Sequence, residues 1–265
     1  MTVSLPLVFH IFAFVFGAMV GSFLNVCIYR LPKGESVVFP PSHCPNCDYR
    51  IRFYDNIPVI SYLLLGGKCR SCKSRISPQY PVVELINGLL TLFLFIKFGP
   101  TWTFLFLFLF CSALVVITFI DLEHQIIPDL ISLPGIVIGF AASFFLPWLG
   151  WKNSLVGILI GGGCLLIIAY GYQFLTKKEG MGGGDIKLLA MMGAFLGWRS
   201  VPFIIFVSSL VGSIIGITLM LVHKKDAKLA IPFGPFLAFG AILYIFFGKE
   251  MIWWYLSLAG SSPGG

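Results

Sequence analysis

Two aspartates stand next to apolar stretches of the chain, where ionisable side chains are uncommon. Asp121 follows Thr118-Phe-Ile, and Asp185 follows Gly180-Met-Gly-Gly-Gly. A charged side chain in the middle of a membrane span costs about 2.5–3.5 kcal/mol, so a functional role is its first interpretation. Two carboxyl groups that meet can activate water against a peptide bond, because one accepts a proton while the other donates one. We therefore predict that Asp121 and Asp185 are catalytic.

The three residues directly before Asp185 are Gly182, Gly183 and Gly184. Glycines let the backbone approach another chain closely and adopt positive φ angles. Exposed backbone at this point could pair with an extended substrate strand through main-chain hydrogen bonds. The alternative interpretation of a glycine run is a flexible linker. Because a catalytic candidate follows at once, we predict that these three glycines contact substrate.

Two Cys-x-x-Cys pairs form the second group of residues with recognisable chemistry. They are Cys44-Pro-Asn-Cys47 and Cys69-Arg-Ser-Cys72, with 21 residues between them. Four thiolates at about 2.3 Å complete a closed tetrahedral zinc site, which has no open position for catalysis. A redox pair or unliganded thiols remain alternatives, although disulfides seldom persist in the cytosol, where the charge distribution puts this segment. The spacing predicts structural zinc.

The elements that position these residues are helices in a membrane. The chain is 58% hydrophobic and 11% charged, with a mean hydropathy of +0.94. We predict an all-α polytopic membrane protein, a helical bundle of about eight hydrophobic segments. Residues 1–30 form its first transmembrane helix, 31–80 a small zinc-stapled insert, 81–260 the transmembrane protease bundle and 261–265 a tail. The seven predicted spans are Leu5–Tyr29, Val82–Phe98, Trp102–Ile120, Leu130–Leu149, Leu155–Leu175, Val201–Val222 and Ile231–Gly248, and a shorter helix, Ile186–Gly197, is held inside the bundle.

The distribution of basic residues predicts the orientation. With these spans, 14 of the 18 Lys and Arg residues fall on one side of the membrane, and four fall on the other. The positive-inside rule then places the amino terminus outside, and residues 31–80 with both aspartates on the cytosolic side. The net charge of +7 is explained by this topology, so we expect a lipid bilayer and no nucleic acid as partner.

Sequence segments along nearly the whole chain resemble one family, the bacterial type IV prepilin peptidases, which are intramembrane aspartyl proteases. Besides the two cysteine pairs and the two aspartates, the matching segments are Gly21-Ser-Phe-Leu-Asn-Val-Cys-Ile-Tyr-Arg-Leu-Pro32, Ile76-Ser-Pro-Gln-Tyr-Pro-Val-Val-Glu-Leu85, Ile127-Pro-Asp129, Lys178-Glu-Gly-Met-Gly-Gly-Gly-Asp-Ile-Lys-Leu188 and Ile231-Pro-Phe-Gly-Pro-Phe236. The resemblance implies that Asp121 and Asp185 are the catalytic pair and that the four cysteines bind zinc.

The resemblance also implies two activities at the inner membrane. A member of this family removes a short basic leader from type IV prepilins or type II secretion pseudopilins at the cytosolic face. It then methylates the new amino terminus with S-adenosylmethionine, for which the insert is the expected location. The alternative is an ion-coupled transporter that uses Asp121 and Asp185 as a proton relay. Transporters, however, bury ionisable groups near the midplane and show repeated halves.

Three further features receive structural interpretations. Asp129 is predicted to cap a helix or to lie in a solvated loop, because it stands beside Pro128 and precedes an apolar run. Glu84, at the start of a span, is expected to pair with an Arg of the insert, to cap or to touch substrate. The run Gly161-Gly-Gly163 is expected to allow close packing between helices.

Overall fold

A computed structural model describes residues 6–177, 182–223 and 231–258 of the chain. This part of the chain is built from helices and two isolated β-bridges, which confirms the all-α prediction. The predicted tail, residues 261–265, lies outside the described residues. The helices are α1 Leu7–Arg30, α2 Ile60–Leu64, α3 Gln79–Phe98, α4 Trp102–His124, α5 Asp129–Ala142, α6 Trp151–Thr176, α7 Gly183–Leu196, α8 Ser200–His223 and α9 Gly234–Leu258.

The chain divides into two compact units, Met1–His124 and Gln125–Gly265. In the first unit, α1 packs along α3, and both contact α4. Asn87 ties the three helices together, because its side-chain amide donates to the Gly17 carbonyl at 2.7 Å and accepts from the Ser112 hydroxyl at 3.0 Å. Side-chain hydrogen bonds of this kind contribute to helix association in a membrane, where burial of apolar surface no longer drives it.

The second unit is built around the short helix α7. Nine consecutive residues of this helix, Leu188 to Leu196, are buried, and α7 packs mainly against α5 and α6. The hydroxyl of Ser154 on α6 donates to the Ala194 carbonyl of α7 at 2.7 Å. A helix that is apolar on all sides and too short to cross a bilayer is enclosed by other elements. The prediction of a short helix inside the bundle is therefore confirmed.

Within the part of the chain that the structure describes, five helices are long and apolar enough to cross a membrane, namely α1 with the turn after it, α3, α4, α6 and α8. The predicted span Leu130–Leu149 is wrong as a single helix, because α5 ends at Ala142 and spans only about 21 Å at 1.5 Å per residue. The chain turns at Ser143, whose hydroxyl donates to the Phe140 carbonyl, and Leu146 and Leu149 are then buried. These residues are apolar because they pack in the interior. The predicted last span, Ile231–Gly248, corresponds to the apolar first part of α9, Gly234–Gly248.

Candidate active site and metal centre

Four cysteine thiols of the insert meet in one cluster. The sulfur atoms of Cys44, Cys47, Cys69 and Cys72 all lie within 4.8 Å of one another. The Sγ atoms of Cys44 and Cys72 are 3.8 Å apart, and those of Cys47 and Cys69 are 4.0 Å apart. A tetrahedral site with Zn–S bonds of about 2.3 Å has S–S edges of about 3.8 Å. The donor set and its spacing therefore fit a structural zinc ion.

Each cysteine pair lies on a tight turn of the same form. The backbone amide of Cys44 donates to the Tyr49 carbonyl at 3.0 Å, and that of Cys69 donates to the Ser74 carbonyl at 2.8 Å. In both turns the residue four places after the first cysteine adopts a left-handed conformation, with φ of 53° and 59°. Two matching turns thus present two thiols each toward a common centre, in a segment too small to build a large core by itself.

Hydrogen bonds around the cluster tune its thiols unequally. The Ser74 hydroxyl lies 3.1 Å from Cys72 Sγ and lowers the pKa of Cys72 to about 6. At Cys47, the Tyr49 backbone amide favours the thiolate, but desolvation and the neighbouring thiols raise the pKa to about 11. Crowded thiols therefore resist joint ionisation. A bound divalent cation removes this resistance, because it holds each coordinating sulfur as a thiolate.

Asp121 belongs to the first unit and lies in the last turn of α4. The helix continues to His124, so Asp121 is inside the helix and not at the boundary that the apolar run indicates. Its side chain is buried, with the residue only 4% exposed. A buried carboxyl group near the end of an apolar helix is costly to maintain. The position is therefore consistent with a catalytic role.

Asp185 belongs to the second unit and is the third residue of α7, partly exposed. The helix begins earlier than the sequence indicates, because Gly183 and Gly184 are already helical and Gly182 is its extended N-cap residue. The first amides of a helix have no partner within it and favour a negative charge nearby. Asp185 is thus placed where a carboxylate is favoured. Gly180, two residues before these glycines, lies outside the described residues.

Gly184 has a packing role that the other two glycines do not share. A Cβ atom at Gly184 would lie 2.9 Å from Cβ of Ile127, in the segment before α5, whereas one at Gly183 would meet nothing within 4 Å. Glycine at position 184 therefore lets the start of α7 approach this segment closely. The sequence pattern did not distinguish between the three glycines.

A salt bridge near Asp185 was not anticipated from the sequence. The amine of Lys187 contacts both carboxylate oxygens of Asp129, at 2.7 and 2.8 Å. The prediction that Asp129 caps a helix is wrong, because it is the first residue of α5 and its side chain makes no capping hydrogen bond. The bridge instead links the first turns of α5 and α7, and thereby supports the turn that carries Asp185.

Glu84 also has a partner that the sequence did not indicate. Its Oε2 accepts a hydrogen bond from the Val59 backbone amide at 2.8 Å, and the residue is 7% exposed. Val59 is a β-branched residue with φ of 61°, a strained conformation. Glu84 therefore contacts the backbone of the insert and does not pair with an Arg. The sequence carries no signal for this contact beyond the position of Glu84 at the start of a span that follows the insert.

Comparison with known proteins gives a consistent result over both units. Residues 15–98 match the model of the bacterial peptidase A24 N-terminal domain, and residues 108–217 match that of the type IV leader peptidase family. No solved structure matches the chain.

Relatives similar to the whole chain carry the name prepilin leader peptidase/N-methyltransferase. The protein from Pseudomonas aeruginosa is 38% identical over 97% of both chains, and that from Stutzerimonas stutzeri is 37% identical over 97% of this chain and 96% of its own. The Burkholderia pseudomallei protein (strain 1026b) is 32% identical over 94% of this chain and 88% of its own. None of these three is named as a transporter, so that alternative has no support. Together with its multiple apolar helices, these matches show that the chain is a multi-pass membrane protein and belongs to the type IV leader peptidase family.

Proposed function

We propose that this protein removes the short basic leader from type IV prepilins or type II secretion pseudopilins and then N-methylates the new amino terminus. The observation that carries this proposal is the full-length similarity to proteins named for both activities. It is supported by the positions of the two aspartates, one buried in α4 and one in the first turn of α7. We place the reaction at the cytosolic face of the bacterial inner membrane, where 14 of the 18 basic residues are predicted to lie.

Asp121 and Asp185 are the proposed catalytic pair. One carboxylate accepts a proton from water, whose oxygen attacks the carbonyl carbon of the scissile bond. The other carboxyl group, protonated, donates a hydrogen bond to the carbonyl oxygen as negative charge develops there. The tetrahedral intermediate then collapses, the C–N bond breaks, and the leaving amine takes up the proton of the second carboxyl group. The proton that the first carboxylate took from water restores a singly protonated pair. No acyl-enzyme intermediate is needed, because water itself is the nucleophile.

Gly182, Gly183 and Gly184 are proposed to contact the substrate backbone near the scissile bond. This role is best supported for Gly183, because a Cβ atom there would meet nothing within 4 Å and its backbone amide is the first of α7. Unpaired amides at a helix start can donate to a substrate carbonyl. Pairing with an extended strand would be limited to Gly182, since the next two residues are helical.

Two bound groups belong to the proposal. Zinc would be held by Cys44, Cys47, Cys69 and Cys72, and would fold the insert without taking part in peptide hydrolysis. S-adenosylmethionine, when bound, supplies a methyl group on a positively charged sulfur. The protein's own residues must then bind this donor and bring the new α-amine of the substrate to it in neutral form.

The proposal is tested by the mass of the product. Purified protein in lipid nanodiscs is incubated with a leader-bearing prepilin, with and without S-adenosylmethionine. We expect loss of the leader in both reactions, and one additional methyl group on the mature product only when the donor is present. An intact substrate would contradict the peptidase activity. A cleaved but unmethylated product in the presence of the donor would contradict the methyltransferase activity.

A further inference from the structure

A large cavity lies within the first unit, between the insert and the membrane helices α1 and α3. Its volume is about 680 Å³, and its lining residues run from Ser22 to Glu123. Cavities of about 300–1,000 Å³ are typical of small-molecule sites. The cavity therefore has the size to enclose a ligand such as a nucleoside derivative.

A buried carboxyl group forms part of the cavity wall. Glu84 uses Oε2 to accept from the Val59 amide, and among the described residues no cation pairs with it. The other buried charges at the wall have partners. Asp55 is held by two nitrogens of Arg70, and Arg30 donates to two backbone carbonyls. A buried carboxylate with acceptor capacity to spare attracts a positively charged group of a ligand placed beside it.

Aromatic rings complete the lining. Four tyrosines border the cavity, namely Tyr29, Tyr49, Tyr62 and Tyr80. Tyrosine rings stack on planar heterocycles, and their faces attract cations. A ligand that contains both a purine and a fixed positive charge would be complementary to this combination of rings and carboxylate.

We propose that this cavity binds S-adenosylmethionine and that the Glu84 carboxylate faces its positively charged sulfur. The inference rests on the proposed methyltransferase function and assigns a site to it. Glu84 acts here as a donor-binding residue, which favours the charged donor over the neutral product that remains after methyl transfer. The reaction transfers the methyl group to the uncharged α-amine, the S–CH3 bond breaks, and the sulfur leaves as a neutral thioether. Loss of the charge therefore weakens binding and aids product release.

The position of this cavity beside the four cysteines gives zinc binding a second effect. Cys44 and Cys69, the buried members of the cluster, border the same cavity. Zinc that folds the insert thus shapes one wall of the donor site. The strained backbone at Val59, held by Glu84, forms another part of this wall.

Calorimetry with two ligands that differ in charge tests this assignment. S-adenosylmethionine and the neutral S-adenosylhomocysteine are titrated into full-length protein in nanodiscs, for the wild type, Glu84→Gln and Asp48→Asn. The glutamine keeps an oxygen for the Val59 amide but carries no charge. Asp48 is a matched control, because it lies in the insert, its side chain is 91% exposed and it does not border the cavity. Zinc content reports whether each variant is folded.

We expect Glu84→Gln to weaken S-adenosylmethionine binding about tenfold and S-adenosylhomocysteine binding less than threefold, with Asp48→Asn like the wild type. Unchanged affinities in Glu84→Gln, or equal losses for both ligands, would overturn the inference while the proposed function stands. A wild type that neither binds the donor nor methylates prepilin would overturn both.

Photo-crosslinking of the wild type provides a test that does not depend on the folding of a variant. A photoreactive S-adenosylmethionine analogue is irradiated with the protein, and the labelled peptides are mapped by mass spectrometry. Labels within residues 22–84 support the site. Labels confined to the second unit would overturn it. Labelling that is prevented by anionic lipid but not by excess S-adenosylmethionine would overturn it as well.

Discussion

Replacement of Gly161 by alanine should loosen the packing that positions α7. A Cβ atom at Gly161 would lie 2.5 Å from the Leu189 carbonyl oxygen and 3.0 Å from its carbon, whereas ordinary contact begins at 3.4 Å. The obstacle is helix backbone and cannot rotate away, so α6 and α7 must separate by roughly 1 Å. Such overpacking costs about 1–3 kcal/mol.

Gly163 provides a matched control on the same helix. A Cβ atom there would meet nothing within 4 Å. Both substitutions gain the same helix propensity, up to about 1 kcal/mol, so the difference between the two variants isolates the packing term. At roughly 2–4 °C per kcal/mol, thermal unfolding followed by circular dichroism should give a Tm about 2–12 °C lower for Gly161→Ala than for Gly163→Ala.

Cleavage should follow the same order, because α7 carries Asp185 in its first turn and a displacement of about 1 Å can reduce a rate roughly 100-fold. Equal Tm values for the two alanine variants would refute the packing argument. A lower Tm for Gly163→Ala would refute it as well.

Three other predictions concern the metal centre and the start of α7. Ser74→Ala should weaken zinc binding about 10- to 100-fold in a competition assay with a chelating dye, because its hydroxyl contacts Cys72 Sγ, whereas Ser71→Ala should bind zinc like the wild type. Gly184→Ala should lower the Tm by clashing with the segment before α5, and Gly183→Ala should leave it unchanged or higher. Chelation of zinc should expose residues 31–80 to limited proteolysis, and unchanged cleavage patterns would contradict a structural metal.

Sequence patterns predicted the cluster of four cysteines well, because the spacing of each pair sets a local turn. Two thiols with two residues between them lie on the same tight turn. Four such thiols in a small polar insert are best explained by one shared metal ion. The apolar run of α7 was equally informative, since twelve residues are too few to cross a membrane and must be enclosed. In both examples, local geometry limits the possible structures.

Contacts between distant segments could not be read in the same way. The end of α5 shows this, because an apolar run has the same composition whether it continues as a helix or turns and packs inside. Of the glycines in the run 161–163, the structure places Gly161 against the α7 backbone, while Gly163 has no neighbour within 4 Å. The partners of Asp129 and Glu84 likewise come from other helices or from the insert. Such pairings depend on tertiary packing, which a single sequence does not encode locally.

The central claim is that Asp121 and Asp185 act together as the catalytic carboxyl groups. The most direct test measures the cleavage rate of a leader-bearing prepilin by mass spectrometry, for the wild type, Asp121→Asn, Asp185→Asn and the control Asp48→Asn, at equal protein and zinc content. Because an amide cannot transfer the proton, each of the first two variants should lose at least about 100- to 10,000-fold in rate, and the control should match the wild type. Cleavage at the wild-type rate by either Asp121→Asn or Asp185→Asn would contradict the account.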